Sequence, residues 1–416
     1  MKTTNIFKNL LGITFLATGL LFISSCSSDD DANVGGDPIL TDPPIVIGCH
    51  YFSDNPNAVL EDNPNAAIDY IVTCNSTNIP DDVVIMPGVT IAFETNTGFW
   101  IRGGGSLKAV GTPDKKITFT GVDKAIGAWA GIHFASNDSK NELSYTIVEY
   151  SGGGESSWAT SEKGGIVIGA GSSLKLTNSL IQQCKGWGVN LYYTANESHT
   201  TIEGNVFKEN EIPLQISSAR IEIVKSSNQF IDNVINKVEV KNTFAISGGD
   251  KTMHKLPVPY SITNGNGVFG VDNGGHLVIQ PGTVIEMGTG KYINVATGAS
   301  LKVVGTPSEE IIIRGAVEAP GAWGNIRFHS TTSPNNQFKH VVIKHAGAGA
   351  NSNSYIGTMG AIYIGYQAGL NISDTHFEDI MSCVLFTDQH GIGNVQLGTN
   401  ITSTNTNIVG LEDCIL

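Results

Sequence analysis

The chain has 416 residues, a formal net charge of −14 at pH 7, and 24 basic against 38 acidic residues. This acidic balance argues against nucleic acid and anionic lipid surfaces as partners. The chain contains only four arginines (Arg102, Arg220, Arg314 and Arg327), and multi-point binding of polyanions such as pectate or alginate would need more of them in clusters.

The N-terminus carries the features of an export signal. Two lysines accompany an apolar run, Leu10 to Ile23, that is too short to form a stable membrane-spanning helix. The run ends in Ile23-Ser24-Ser25-Cys26, which resembles the bacterial lipobox. The resemblance implies a lipoprotein signal peptide at residues 1–25 and attachment of lipid to Cys26. An ordinary signal peptide with a chance cysteine is the alternative.

Residues 26–48 are predicted to be a flexible acidic tether. They are rich in Ser, Asp, Gly and Pro and cannot bury a core. The cluster Asp29-Asp30-Asp31, just after the lipobox, resembles the surface-export signal of Bacteroidota lipoproteins, with a solvated spacer as the alternative. The resemblance implies a lipid anchor in the outer membrane and a folded part that faces the cell exterior, although a periplasmic orientation stays open.

Residues 49–416 are predicted to be all-β. Apolar residues alternate over runs of 4–6 residues, as at Ile91 and Phe93 and at Ile117 and Phe119, and turn residues separate the runs. Helical periodicity is absent beyond the signal segment. The 49 glycines and 15 prolines make turns frequent.

Residues 87–134 and 281–328 are two copies of one sequence. They align without a gap at an offset of 194, and 20 of 48 positions are identical. The likeness continues more loosely beyond these segments, so the duplicated units are predicted to span about 83–190 and 277–386. Internal repetition of this kind decides the architecture before other signals do.

A shorter period lies between the two copies. The segment Asn205 to Asn210 recurs 23 residues later as Asn228 to Asn233. One turn of a parallel β-helix needs about this length, and Phe207 and Phe230 are predicted to stack inward on consecutive turns. The flanking asparagines suit corners, because Asn tolerates left-handed backbone and can form hydrogen-bonded ladders.

The order of strands and turns points to a family. An apolar strand, Pro-Gly, a strand, Ser-Leu-x-x-x-Gly-Thr-Pro, a strand and Gly-Ala-Trp-x-x-Ile-x-Phe together resemble right-handed parallel β-helix repeat surface lipoproteins of the Bacteroidota type. The resemblance covers about residues 65–410. It implies an all-β, right-handed parallel β-helix, a single solenoid with an internal duplication over residues 49–416. A β-propeller and a pair of β-sandwiches are the alternatives, which the shorter period disfavours.

Five cysteines follow the signal segment, and an exported compartment permits disulfides. Cys49 and Cys74 lie at the start of the folded region, and Cys383 and Cys414 lie at its end. These pairs are the disulfide candidates, because terminal turns lack one stacking neighbour and gain most from a covalent link. Cys184 is predicted to be a small buried hydrophobic residue. No metal-ligand spacing appears, so neither a metal nor another cofactor is predicted.

Signals of catalysis are sparse. Glycoside hydrolysis needs two carboxylates across the scissile bond, and Asp81-Asp82 lies in a predicted turn. Lyase chemistry of the pectate type would need an acid cluster and an arginine base, and no acid cluster accompanies Arg220. Histidines gather in the second half without a known ligand spacing. No catalytic residue is predicted, and a carbohydrate-active enzyme, a polysaccharide lyase or glycoside hydrolase, remains an alternative.

Aromatic residues are the better candidates for ligand contact. Trp158 and Tyr355 lie in equivalent glycine-rich or serine-rich loops, where a ring can stack on a sugar or fold back onto apolar surface. Trp129 and Trp323 occupy identical places in the two copies and are also candidates, although a tryptophan repeated at a strand start often packs a corner. The sequence predicts a binding or adhesion module for glycan or protein ligands, which touches the membrane through its lipid only. A structural stalk without a specific ligand is the other alternative.

Overall fold

The computed structural model describes residues 41–153, 163–191, 199–242, 244–296, 298–348, 360–387, 394–406 and 414. This part of the chain is all-β, with a short helix α1 (Tyr51–Asp54) and a 3₁₀-helix at Ser218–Ile223. No helix within these ranges is long and apolar enough to cross a membrane. The strands in chain order are β1 (Ile45–Ile47), β2 (Val59–Leu60), β3 (Tyr70–Val72), β4 (Thr77–Ile79), β5 (Asp82–Ile85), β6 (Thr90–Phe93), β7 (Gly98–Arg102), β8 (Ser106–Val110), β9 (Ile117–Gly121), β10 (Gly131–Ala135), β11 (Glu142–Ser144), β12 (Thr146–Glu149), β13 (Ile166–Ile168), β14 (Lys175–Thr177), β15 (Leu180–Gln182), β16 (Trp187–Leu191), β17 (Thr201–Glu203), β18 (Val206–Lys208), β19 (Ile212–Ser217), β20 (Gln229–Ile231), β21 (Val238–Lys241), β22 (Ile246–Met253), β23 (Tyr260–Ile262), β24 (Val268–Ile279), β25 (Val284–Met287), β26 (Tyr292–Ala296), β27 (Ser300–Val304), β28 (Ile311–Gly315), β29 (Ile326–His329), β30 (Gln337–Lys344), β31 (Gly360–Ile364), β32 (Leu370–Glu378), β33 (Cys383–Thr387), β34 (Val395–Leu397) and β35 (Ile401–Thr404).

The strands pair in parallel and form five sheets. Sheet 1 contains β1, β3, β6, β9, β12, β15, β18 and β20, and sheet 2 contains β2, β5, β8, β11, β14 and β17. Partners in a sheet are separated in sequence by strands of the other sheets, as where Tyr70 pairs with Ile91 and Ile91 with Phe119. Parallel neighbours need such a long connection, and here the other sheets supply it. This pairing is consistent with the predicted parallel β-helix.

Sheet 3 runs through both repeat units. Its strands are β4, β7, β10, β13, β16, β19, β21, β23, β25, β28, β30, β32 and β35, each paired in parallel with the next. Sheet 4 contains β22, β24, β26, β29, β31 and β33, and sheet 5 uses the second halves of β22 and β24 with β27, β30, β32 and β34. Long strands such as β30 and β32 serve two sheets because each bends at one left-handed residue, His340 or Asp374.

The two copies of the repeat occupy different sheets. Strand β6 of sheet 1 corresponds in sequence to β25 of sheet 3, and β7 of sheet 3 corresponds to β26 of sheet 4. Strand β8 of sheet 2 corresponds to β27 of sheet 5. The second unit is therefore turned by one sheet relative to the first, and between the units sheet 1 ends at β20 while sheet 4 begins at β22.

One apolar core fills the space between the sheets, with buried side chains from Ile47 to Leu385 in a single cluster. Phe207 and Phe230 are paired in register, buried and stacked, with ring centroids 5.2 Å apart and planes within 11°. The predicted inward stack is confirmed. Alternation of side chains along each strand places every second residue in this core.

Asparagine ladders flank the phenylalanine stack. Asn205 Nδ2 donates to Asn228 Oδ1 at 3.1 Å, and Asn210 Nδ2 donates to Asn233 Oδ1 at 3.0 Å. The ladders were predicted, but the left-handed backbone belongs to the residue before the asparagine, as at Glu209 with φ of 54°. The asparagine side chain instead turns inward, where it satisfies buried backbone groups.

The ends of the folded region carry the two disulfides, Cys49–Cys74 and Cys383–Cys414. The Cys184 thiol is buried and lies 3.2 Å from Ser151 Oγ. Paired structure starts before residue 49. Strand β1 lies within the segment predicted to be a tether, and it pairs with β3 of the folded region. The β-branched run Ile45-Val46-Ile47 favours a strand as soon as Pro43 and Pro44 are passed.

Candidate functional site

The predicted ligand-contact residues do not form a site in the described part of the chain. Trp158, Tyr355 and the lipidation residue Cys26 lie outside the described residues. Trp129 and Trp323 are fully buried, and their Nε1 atoms donate to the carbonyl oxygens of Glu149 and Lys344, both at 2.8 Å. The two indoles therefore pack corners of the fold and offer no face to a ligand.

The place where the repeat units meet is irregular. After β19 the chain forms the 3₁₀-helix at Ser218–Ile223, which is kinked at Arg220 with φ of −124° and ψ of 26°. Ser218 Oγ donates to the carbonyl oxygen of Phe244 at 2.5 Å. This irregularity follows from the turn by one sheet, because one strand position ends here and another begins.

A cavity of about 420 Å³ opens at this junction. We call it the junction pocket, and its polar and aromatic lining consists of Arg220, Phe244, Ser247, Asp272 and Asn273, with two alanines between them. The Phe244 side chain is 45% exposed. An exposed phenyl ring beside a guanidinium, a carboxylate and an amide is unusual here, because the other phenylalanines of the described residues are buried, apart from the half-buried Phe386.

Local sequence explains the shape of the pocket. Gly248 and Gly249 have φ of 64° and 78°, and a bulge shifts the register of β22 on β24 beside them. Left-handed backbone of this kind favours glycine. On β24, Asn273 is also left-handed, with φ of 47°, and its Nδ2 donates to Asp272 Oδ1 at 3.1 Å. The bulge and the bend direct polar side chains towards the space beside Phe244.

The junction pocket has the chemistry of a binding site. Arg220 supplies donors, Asp272 supplies acceptors, and Asn273 and Ser247 supply both. Among the described residues of the lining Asp272 is the one carboxylate, whereas glycoside hydrolysis uses a pair. The described residues contain no group of three or more His, Cys, Asp or Glu side chains placed to hold a metal ion.

A second cavity brings several carboxylates together. It has a volume of about 260 Å³, and its lining includes Glu318, Lys344, His345, Glu378 and Asp379. Lys344 lies 2.6 Å from the Glu378 carboxylate and lowers the pKa of Glu378 through this hydrogen bond. A general acid would need a raised pKa, so this pairing favours an ion-pair network over hydrolysis.

Two other sequence features receive structural explanations. Four histidines and aspartates of the second half, His340, His345, Asp374 and Asp379, lie at corners and have φ between 46° and 63°. Asp82, predicted in a turn, begins β5 and binds Ser106 and Lys140. The Lys140 hydrogen bond lowers the pKa of Asp82, although both side chains are exposed.

Sequence reasoning missed the junction pocket. Asp272 lines the same cavity as Arg220 but follows it by 52 residues in the chain, on strand β24, so the sequence alone does not bring the two together. The available signal was the interruption of the repeat between its two copies, where Phe244 stands among small and polar residues. No protein-family model, curated protein or solved structure matches this chain.

Proposed function

We propose that this chain is a lipid-anchored, right-handed parallel β-helix of the outer membrane that binds a glycan in the junction pocket. The lipobox at Cys26 and the acidic tether support the anchor and export. The parallel pairing of strands through five sheets, together with the repeated sequence, supports a duplicated solenoid.

The observation that carries the binding role is the exposed ring of Phe244 beside Arg220, Asp272 and Asn273. The apolar face of a sugar ring can stack on a phenyl ring while its hydroxyl groups bond to planar polar side chains. Amide and hydroxyl groups both donate and accept, as sugar hydroxyls do. The lining therefore matches a sugar better than it matches an extended apolar ligand.

The expected affinity of one pocket is modest. Stacking on an aromatic ring contributes roughly 1–3 kcal/mol by analogy with base stacking, and each hydrogen bond contributes about 0.5–1.5 kcal/mol net. Ordering the ligand offsets part of this gain. A dissociation constant near 1 mM corresponds to about 4 kcal/mol, so we expect millimolar binding of a short sugar.

The change Phe244→Ala tests this proposal. Loss of the stacking face should weaken binding of short neutral oligosaccharides about tenfold or more, measured by titration calorimetry on purified full-length protein. Ile126→Ala is the matched control, because Ile126 is also an exposed apolar side chain, at 58%, and lies outside the pocket. Wild-type affinity in the Phe244 variant would reject the pocket, and a wild-type protein that binds no glycan would favour the stalk.

A further inference from the structure

Two ladders of outward side chains run across sheet 5 in the second repeat unit. The strands β30, β32 and β34 are paired in register, so equivalent side chains stand side by side. The first ladder consists of three amides, and the second contains a lysine, a serine and a glycine: Gln337, Asn371 and Gln396, then Lys339, Ser373 and Gly398.

A trough of about 310 Å³ lies between the two ladders. Phe338, Ile372 and Leu397 also border it; Phe338 and Ile372 are buried in the core, and Leu397 is 45% exposed. Because side chains alternate along a strand, the two ladders lie on the outer face of the sheet. Gly398 has no side chain, so no side chain projects from the surface at that end of the second ladder. A neighbouring cavity of about 210 Å³ shares Asn371 and Gln396 with the trough.

Two of the three side-chain amides of this trough are available for a ligand. Gln337 Nε2 donates to the carbonyl oxygen of Pro334 at 2.8 Å. The side-chain amides of Asn371 and Gln396 form no hydrogen bond with other described residues and are accessible to solvent. Among the described residues that line the two cavities, none carries a carboxylate. Each amide can donate and accept, which suits hydroxyl groups.

The first repeat unit shows the same strands with different chemistry. The residues in the places of Gln337 and Asn371 are Glu142 and Lys175, whose Oε1 and Nζ atoms form an ion pair at 2.7 Å. In the first unit these two side chains pair with each other, whereas in the second Gln337 donates to Pro334 and the Asn371 amide forms no hydrogen bond with other described residues. The duplication therefore provides a matched comparison within one chain.

We propose that the trough is a second binding site, for a neutral, hydroxyl-rich polysaccharide that lies across the strands of sheet 5. Its ligand class rests on the proposed glycan function. Neighbouring strands lie about 4.8 Å apart, so the three amides offer a regular series of contacts to a regular polymer. Lys339 is the one cation of the lining, and a single lysine in a chain of charge −14 does not hold a polyanion at several points.

Two sites on one frame raise the affinity for a polymer above that for a short sugar, because the second contact becomes intramolecular. A polymer should bind more tightly than a trisaccharide of the same sugar. This chain-length dependence distinguishes the trough from the junction pocket, where a short sugar suffices.

The double change Asn371→Ala and Gln396→Ala tests the trough. Full-length protein is analysed by affinity electrophoresis in gels that contain mixed-linkage β-glucan, mannan, arabinoxylan or dextran, with polygalacturonate as the anionic probe. We expect the dissociation constant for the best neutral polymer to rise about tenfold, with trisaccharide binding and the melting temperature unchanged. The control Glu142→Ala with Lys175→Ala should leave polymer binding as in wild type.

Unchanged polymer binding in the double variant would overturn the trough even if Phe244→Ala confirms the junction pocket. Preferential binding of polygalacturonate would overturn the neutral ligand class. A wild-type protein that binds none of the neutral polymers would contradict both sites. Loss of polymer binding in the trough variant, with full binding in the Phe244 variant, would support the trough and reject the pocket.

Discussion

His133 is a buried titratable side chain on the outward side of β10. Its imidazole is 5% exposed and stacks on the indole of Trp100, with centroids 4.0 Å apart and planes within 19°. Burial lowers the pKa of His133 to about 3. The ring is therefore neutral at physiological pH, and protonating it would place a charge in an environment that does not solvate it.

This burial predicts acid sensitivity. In the unfolded chain the imidazole of residue 133 titrates near pH 6.5. Between that pH and about pH 3 it binds a proton in the unfolded chain but not in the folded chain. The contribution of neutral His133 to the free energy of unfolding is complete above about pH 6.5. It is lost as the pH falls, on the order of 3–5 kcal/mol in total. His133→Phe should reduce the loss of unfolding free energy between pH 7 and pH 4.5, measured by urea denaturation. The exposed His50→Gln serves as control, and equal pH dependence in wild type and His133→Phe would refute the prediction.

The sequence could predict single residues where their neighbours repeat. Trp129 and Trp323 share the motif Gly-Ala-Trp, which made corner packing a natural alternative to ligand contact. Phe244 could not be assigned in the same way. Its partners Arg220 and Asp272 come together only through pairing between strands, and that pairing is irregular at the junction.

At the scale of elements, a regular spacing of repeated residues predicts which strands pair, whereas an irregular spacing does not. The 23-residue spacing of Phe207 and Phe230 translated directly into adjacent strands, because one turn of the chain separates them. The turn of the second unit by one sheet was not predictable, since both copies have the same local sequence pattern. The pairing of β19 with β21, of β21 with β23 and of β23 with β25 places the start of the second copy in sheet 3.

The phenylalanine stack predicts large effects of truncation. Phe207→Ala should lower the free energy of unfolding by about 3–5 kcal/mol. The change removes a buried ring on β18, a strand that is paired on both sides, with β15 and with β20. Phe230 lies on β20, the last strand of sheet 1, so Phe230→Ala should fall at the low end of this range. Gln229→Ala, on the same strand with an exposed side chain, should change stability by less than about 0.5 kcal/mol. Urea midpoints of the phenylalanine variants equal to wild type would contradict the stack.

At the scale of the whole molecule, sheet 3 joins the two repeat units. Its 13 strands continue without interruption from Thr77 to Thr404. The parts of such a structure stabilise each other mainly through their neighbours. The pairing of sheet 3 across both repeat units therefore predicts that the two units unfold as one cooperative body.

This continuity predicts that a half-molecule is not stable. A fragment of residues 65–235 would expose the pairing edge of β19, which β21 covers in the full chain. We expect the fragment to aggregate or to melt well below the full-length protein, as measured by calorimetry. A soluble fragment that melts cooperatively at the full-length temperature would show that the units are independent.

The first disulfide also decides how the protein responds to mechanical force. A pull on the N-terminus first peels β1 away from β3, and then reaches Cys49 within a few residues. From there the covalent bond passes the load directly to Cys74, so the 25-residue step between the two cysteines cannot be drawn out. The load then reaches β4, the first strand of sheet 3, which runs through both repeat units. A force that would unfold an unlinked chain one turn after another is thus transferred directly to sheet 3, which has the most strands.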